Sequence, residues 1–200
     1  MILEAKNLTF SYLPGGKKIV DGFSMSVESH ERVGLLAPSG FGKTTLCQLL
    51  AGYLKPDAGE VLLDGRPLPG KGVCPVQMIW QHPEKVVNPR LKMGVTLSEG
   101  GDIDSRILDG LGIERDWMNR YPGELSGGEM QRFCIARALG PSTRFIIADE
   151  ISTMLDLITQ SQIWNFMLEE VRERKIGLLA VTHSDALMRR VADRVIRLEI

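Results

Sequence analysis

A glycine-rich segment with a lysine and two threonines stands between an apolar run and a helical pattern. The apolar run Val33–Leu36 predicts a buried strand, and the residues from about Lys43 to Ala51 predict a helix. The segment matches the phosphate-binding pattern G-x-x-x-x-G-K-[ST], except that Ala37 replaces the first glycine. The residues predicted to hold the phosphates are consecutive: Pro38, Ser39, Gly40, Phe41, Gly42, Lys43, Thr44 and Thr45.

The chemistry of this loop follows from its small residues and its two polar side chains. Small residues let successive backbone N–H groups curl around a phosphate, and the helix N-terminus adds partial positive charge. Lys43 can then reach the β- and γ-phosphates of a nucleotide, while the Thr44 hydroxyl can bind magnesium. Ala37 is expected to matter only if its position needs a positive φ angle. The alternative is an ordinary strand-to-helix turn with an exposed lysine.

A second group of chemical residues is the pair of carboxylates that ends an apolar run. Phe145–Ala148 predicts a buried strand, and Asp149 and Glu150 follow it directly. Ligands of open α/β sheets bind at the carboxyl ends of strands, where Asp149 could hold magnesium. Glu150 could act there as the general base for an attacking water. The alternative is a strand that ends in solvated acids, but beside a phosphate loop the pair predicts nucleotide hydrolysis.

A third feature is a serine followed by two glycines at the start of a predicted helix, Ser126–Leu139. Ser126 and Glu129 have the spacing of a capping box, which explains these two residues as a helix start. It does not explain Gly127 and Gly128, which would let the helix N-terminus approach a phosphate closely. With the two features above, the run LSGGEMQR resembles the LSGGQ signature of ATP-binding cassette proteins, with Glu129 at the usual glutamine.

This resemblance implies roles for further residues. Gln81 looks like the Q-loop glutamine, which senses magnesium and the attacking water, so it is expected both in catalysis and at the metal. Ser152–Asp156 resembles the D-loop, with Asp156 as its aspartate near the nucleotide. His183 looks like the switch histidine that contacts the γ-phosphate. Tyr12 resembles the aromatic residue that stacks on adenine; its alternative is an aromatic in a half-buried strand.

The elements that must position these residues alternate between strands and helices. Such alternation predicts a largely parallel, helix-covered sheet. The expected fold is α/β: a P-loop NTPase core with an antiparallel β element at the N-terminus and an inserted α-helical lobe at about residues 82–124. That lobe is predicted from a polar stretch broken by Pro, Gly and Asp, with one helix at Ser105–Leu111. Residues 1–200 are expected to form one nucleotide-binding domain. The opening strands are predicted at Leu3–Tyr12 and Ser24–Glu28.

Composition narrows the function classes. The formal net charge of -1 leaves no electrostatic footprint for nucleic acid. No apolar run approaches the ~18 residues that a transmembrane helix needs, and Met1–Lys6 lacks the pattern of a secretory signal. Cys47, Cys74 and Cys134 are odd in number and far apart, which fits neither a disulfide framework nor a zinc site and indicates a reducing cytoplasm.

Other motifs point to one branch of the family. Gln81–Pro83, Asn88–Arg90 and Arg120–Pro122 resemble the cassettes of oligopeptide, dipeptide and nickel importers. The resemblance implies ATP and Mg²⁺ as cofactors and a cytoplasmic subunit on the inner face of the cell membrane. Its expected partners are integral-membrane permease subunits and a second cassette subunit, identical or different, with a solute-binding protein acting indirectly.

Two other readings stay open. A non-transport cassette, similar to the phosphonate-degradation or iron–sulfur assembly ATPases, would share every nucleotide motif and differ in what docks on the lobe. A small-molecule kinase or GTPase is a P-loop protein of another class. The double glycine of the signature argues against that class.

Overall fold

The computed structural model describes residues 1–38, 40–151 and 155–198. Strands and helices alternate through much of this part of the chain. The strands are β1 (Ile2–Phe10), β2 (Val20–Glu28), β3 (Arg32–Leu36), β4 (Ala58–Leu63), β5 (Arg66–Pro67), β6 (Val76–Ile79), β7 (Phe145–Asp149), β8 (Gly177–Val181) and β9 (Arg194–Arg197). The α-helices are α1 (Lys43–Leu50), α2 (Met93–Ser98), α3 (Ser105–Gly110), α4 (Gly127–Ala138), α5 (Leu157–Glu173) and α6 (Asp185–Val191).

The core is a parallel sheet with the strand order β6-β7-β8-β3-β9. Every residue of β7 and β8 is buried. One face of these strands packs against α4 and α5, and the other against α1, β1 and β2, which is why both strands are nearly continuous apolar runs. The register aligns Ala148 of β7 with Ile79 of β6 and with Ala180 of β8. The carboxyl ends of these strands therefore meet at one edge, and the predicted mostly parallel α/β fold is confirmed.

A separate antiparallel sheet has the order β2-β1-β4-β5. The predicted strand Leu3–Tyr12 ends earlier, at Phe10, because the Asp57 carboxylate accepts a hydrogen bond from Ser11 N (2.8 Å) and so draws the chain away from the ladder. The second strand begins earlier than predicted, at Val20, because its pairing with β1 continues through two register shifts as far as Phe10. The antiparallel N-terminal element is confirmed with these corrected bounds.

The regular elements described between β6 and β7 are helical. They are α2, α3, α4 and three 3₁₀ turns, at Pro83–Lys85, Arg115–Asn119 and Pro122–Glu124. The helix predicted at Ser105–Leu111 forms as α3, which Asp104 caps. Helix α2 was not predicted from the sequence. Lys92 at its start offers no side-chain cap, and the helix is held by burial of Met93 and Leu97. In the described residues, no helix has the length and apolar character needed to cross a membrane.

Side-chain interactions connect α3 to α4 and to α5. The Arg106 guanidinium contacts the buried Glu170 carboxylate on α5 in a two-pronged pair, at 2.6 Å from Nη1 and 3.3 Å from Nη2. Arg132 of α4 donates to the carbonyl of Leu111 at the C-terminal end of α3. Helix α3 therefore links α4 to the core helix α5.

Candidate active site

The phosphate loop has the backbone that its glycines suggested. Gly40 and Gly42 have φ angles of 79° and 85°, and a Cβ on Gly42 would lie 2.5 Å from Ile19 Cγ2. Ala37 is not among the residues with positive φ, so its methyl group strains nothing. Ser39 lies outside the described residues. No described side chain caps the start of α1, which leaves its first-turn N–H groups for a ligand.

The Lys43 side chain is folded back onto the loop. Its ammonium donates to the carbonyl of Ala37 at 3.0 Å and to that of Pro38 at 3.2 Å, and only 8% of the residue is exposed. A buried ammonium needs such partners because desolvation of an unpaired charge is costly. These carbonyls hold the lysine at the position from which it can turn to a phosphate.

At the carboxyl end of β7, Asp149 lies beside the first turn of α1. Burial raises the pKa of Asp149, and a hydrogen bond with the Thr44 side chain partly opposes that shift. Asp149 is 2% exposed, while Thr44 faces solvent. The carboxylate and the hydroxyl thus form one oxygen pair at the mouth of the loop.

Three of the predicted site residues lie around the Glu150 carboxylate. His183 Nε2 lies 2.5 Å from Glu150 Oε1, and Gln81 Nε2 donates to Glu150 Oε2 at 3.1 Å. Lys43 Nζ lies 4.0 Å from Oε1. Four residues from four separate segments therefore meet at a carboxylate that is 12% exposed. A carboxylate surrounded by donors beside a phosphate loop can accept the proton of an attacking water.

Glu150 also has an unusual backbone. Its φ angle is +49°, and its N–H donates to the carbonyl of Val181 at 3.0 Å. Holding a non-glycine residue in the left-handed region costs roughly 1–3 kcal/mol, so the contacts around Glu150 must stabilise this conformation. The turn directs the chain away from the sheet directly after Asp149. Nothing in the sequence signals this strain.

Thr44 and Asp149 fit a magnesium ion that arrives with a nucleotide. Both offer oxygen, the ligand that Mg²⁺ prefers, and Mg²⁺ is usually bound through one or two carboxylates together with substrate phosphates. In the described ranges, no cluster of three or more His, Cys, Asp or Glu residues could hold a metal without such help. Gln81 directs its amide nitrogen to Glu150, so its role as a metal ligand stays a prediction.

The signature residues form a second face. The Ser126 Oγ accepts from Glu129 N at 3.2 Å and the Glu129 carboxylate accepts from Ser126 N at 2.6 Å, so the predicted capping box is present. With Gly127 and Gly128, Ser126 lines a cavity of about 630 Å³ that Asp156 also borders. None of the phosphate-loop residues that the structure describes lines this cavity. Asp156 caps α5 by accepting from Ile158 N and Thr159 N; the preceding D-loop residues 152–154 lie outside the described residues.

Beside the loop lies a cavity of about 430 Å³, and no sequence motif indicated one of its walls. Lys17, Lys18 and Ile19 form one wall and Phe41 and Gly42 part of the other. These three residues follow a Pro-Gly-Gly turn and match no motif. The only signal for them was the pair of adjacent lysines, which by itself predicts no more than a solvated turn.

Tyr12 lies beyond the end of β1 with 59% of its surface exposed. Its ring meets Phe10 edge-on at 5.1 Å, and its hydroxyl lies 2.9 Å from Thr45 Oγ1. The half-buried strand position considered as an alternative is therefore wrong. Stacking on adenine stays a prediction. A nucleotide that uses the Thr45 hydroxyl must first break the bond to Tyr12.

Tyr12→Phe is expected to tighten ATP binding by about 2- to 10-fold, since it removes one neutral hydrogen bond that competes for Thr45. From the sequence alone, phenylalanine is expected to be neutral here. Tyr12→Ala should instead weaken binding by roughly 1–3 kcal/mol through loss of stacking. Calorimetric titration with ATP measures both. Equal weakening by both variants would show that the hydroxyl contributes to binding.

Comparison with known proteins identifies the family of this chain. The model of the family described as ABC transporter matches residues 20–153. The oligopeptide transport ATP-binding protein OppF of Streptococcus mutans is 32% identical over 97% of this chain and 70% of its own length. The nickel import ATP-binding protein NikE of Rhodospirillum rubrum is 35% identical over 92% of this chain and 73% of its own.

Solved structures extend the likeness to the fold. The dimeric structure of MJ0796, a bacterial ABC transporter cassette, superposes with a TM-score of 0.82 at 26% identity, over 98% of this chain and 94% of that one. A dimer of the same cassette bound to ADP and Pi gives a TM-score of 0.83 over 98% and 94%, and at 24% identity it bears on the fold alone. This chain belongs to the ABC transporter family, as an ATP-binding, ATP-hydrolysing subunit that works with Mg²⁺.

Proposed function

We propose that this chain drives an importer of the peptide or nickel type from the inner face of the cell membrane. The observation that carries the proposed hydrolysis site is the meeting of Lys43, Gln81 and His183 at the Glu150 carboxylate. The importer type is supported by the relatives, which are named for oligopeptide, dipeptide and nickel transport. A non-transport cassette is the alternative.

In the proposed mechanism the phosphates of ATP replace the loop carbonyls as partners of Lys43. Glu150 takes a proton from the attacking water, and Gln81 orients that water. His183 leaves Glu150 to contact the γ-phosphate, a movement that its 51% exposed side chain permits. Bound Mg²⁺, held by Thr44 and Asp149, would neutralise charge that develops on the phosphates.

We also propose that a second cassette subunit, identical or different, completes the site. The signature face and the phosphate loop line different cavities of one chain, so one nucleotide in this conformation contacts only one of them. Next to the signature cavity, Leu157 and Ile158 at the start of α5 are 83% and 73% exposed. Large exposed apolar side chains beside an open polar cavity favour burial by a partner. The dimeric structure of the MJ0796 cassette supports such pairing.

The permease contact is proposed for the surface around Tyr53 and the insert at about residues 82–124. Tyr53 is 58% exposed and its ring meets that of Trp80 at 5.2 Å. Trp80 directly precedes Gln81, so a partner seated here would act on the residue that contacts Glu150. Val95 and Tyr121 add exposed apolar surface on the insert. A solute-binding protein would act through the permease.

Reconstitution in vesicles with a permease and a solute-binding protein of the peptide or nickel type, sought among the genes next to the one for this chain, tests the proposal. We expect loaded binding protein to stimulate ATP hydrolysis and solute uptake. Tyr53→Asp should lower the stimulation at least 5-fold and leave the basal rate unchanged, because a buried carboxylate opposes docking at an apolar contact. Val73→Asp, a change at another exposed apolar residue, is the matched control. Absence of stimulation in the wild type would favour the non-transport cassette.

A further inference from the structure

A buried amide lies at the base of the insert, where the chain leaves the core after β6 and returns through α4. Gln131 of α4 is 1% exposed, and its Nε2 donates to the carbonyl of Trp80 at 3.1 Å. Its Oε1 has no hydrogen-bond partner among the described residues. An amide buried in this half-satisfied way costs more free energy than an apolar side chain of the same size. An apolar side chain at this position could not form the hydrogen bond to the Trp80 carbonyl.

The Trp80 carbonyl matters because of the residue that follows it. Strand β6 ends at Ile79, so its ladder with β7 does not extend to Trp80. The carbonyl of Trp80 and the N–H of Gln81 share one planar peptide unit. A bond that holds the carbonyl therefore also holds the plane from which the Gln81 side chain reaches Glu150 Oε2.

Gln131 also connects this peptide to the signature. It follows Ser126 by five residues on the same helix, about 7.5 Å along the axis. The N-terminal residues of α4 thus line the signature cavity. Roughly one and a half turns later, the same helix donates a hydrogen bond to the Trp80–Gln81 peptide. This bond therefore connects the helix that starts at the signature to the peptide that precedes the Gln81 side chain.

We propose that Gln131 is a positioning residue for hydrolysis, which holds the Gln81 amide against the Glu150 carboxylate by fixing the Trp80–Gln81 peptide. This inference rests on the roles proposed above for Gln81 and Glu150. In this role Gln131 does not contact the nucleotide. ATP affinity should therefore be independent of it, while the rate of the chemical step should depend on it.

Gln131→Met keeps the length of the side chain and removes the donor. In the full chain with Mg-ATP we expect kcat to fall about tenfold, the loss that corresponds to one hydrogen bond in the reacting complex. KM and the calorimetric Kd for ADP should stay within about twofold of the wild-type values. The melting temperature should stay within about 2–3 °C of wild type. Gln77→Met is the matched control, because Gln77 donates to the Cys74 carbonyl (2.6 Å) at the opposite end of the same strand. Its kcat should be unchanged.

A double-mutant cycle separates positioning from a merely structural role. Gln81→Ala should lower kcat, and Gln131→Met should cause no further loss in that background, since its effect passes through Gln81. Equal losses in both backgrounds, an unchanged kcat in Gln131→Met, or an equal loss in Gln77→Met would each overturn the inference. If Gln81→Ala hydrolyses ATP at full speed, the proposed role of Gln81 fails and the inference fails with it. An impaired Gln81→Ala beside a normal Gln131→Met overturns the inference alone.

Discussion

Glu150→Gln is expected to bind ATP with near wild-type affinity and to hydrolyse it about 10²- to 10⁴-fold more slowly. The amide has the shape of the carboxylate and can keep a bond to its neighbours, but it cannot take the proton of the attacking water. His183 and Lys43 lie at 2.5 and 4.0 Å from the carboxylate, so the proposed proton acceptor lies beside the loop in this structure. Single-turnover hydrolysis together with calorimetric ATP binding measures the two effects.

The same variant should trap the closed pair of subunits. Removing one negative charge from a site crowded with phosphate oxygens lowers repulsion in the nucleotide-bound state. Light scattering should therefore find a dimer with Mg-ATP and a monomer with ADP. Adding Ser126→Arg should abolish the dimer. Ser126 lines the signature cavity, and a long side chain there would keep the nucleotide of the partner subunit out of it.

The matched control for this pair of experiments is Glu169→Gln, the same change at an exposed position of α5. It should hydrolyse ATP at the wild-type rate and stay monomeric under the same conditions. Full-speed hydrolysis by Glu150→Gln would exclude Glu150 as the base. A Glu150→Gln protein that stays monomeric with ATP at high concentration would contradict self-pairing. Pairing with a different cassette subunit would then be tested by mixing the two chains.

Lys43→Ala should lower ATP affinity by about 10²-fold or more. The ammonium can make charge-assisted bonds to two phosphates, and each such bond is worth roughly 1.5–3 kcal/mol. Lys43→Arg should restore the affinity only partly, because a planar guanidinium does not reproduce a compact ammonium in a narrow loop. Binding is measured by calorimetry with Mg-ATP.

The nucleotide-free structure sets the control for that variant. Lys43 donates to the carbonyls of Ala37 and Pro38, so its removal also loosens the empty loop, and the melting temperature without nucleotide must be recorded. Lys55→Ala, at an exposed lysine beyond the end of α1, should leave affinity unchanged. Near-normal ATP binding by Lys43→Ala would refute the assignment of the phosphate loop.

Features that depend on neighbouring residues could be predicted from the sequence. The strand–loop–helix around Lys43 is confirmed because glycine alone readily adopts the left-handed φ angles that this loop needs. The capping box of Ser126 and Glu129 forms because its two hydrogen bonds span only three residues. The apolar run Phe145–Ala148 predicted the strand that forms as β7, every residue of which is buried. The α/β fold and the family followed from such local patterns.

Only the tertiary structure decided which distant residues meet. Gln81 and Glu150 are separated by 69 residues and follow the paired strands β6 and β7. The pairing of β8 with β3, which are not consecutive in the chain, places the segment of His183 beside that of Lys43. The left-handed backbone of Glu150, whose N–H bonds to Val181, and the contact of Tyr12 with Thr45 likewise join segments that lie far apart in the chain. Helix α2 depends on burial of apolar side chains against the rest of the insert rather than on a cap. Local patterns specify backbone conformation, whereas contacts between segments depend on strand order and packing, which no short stretch of residues encodes.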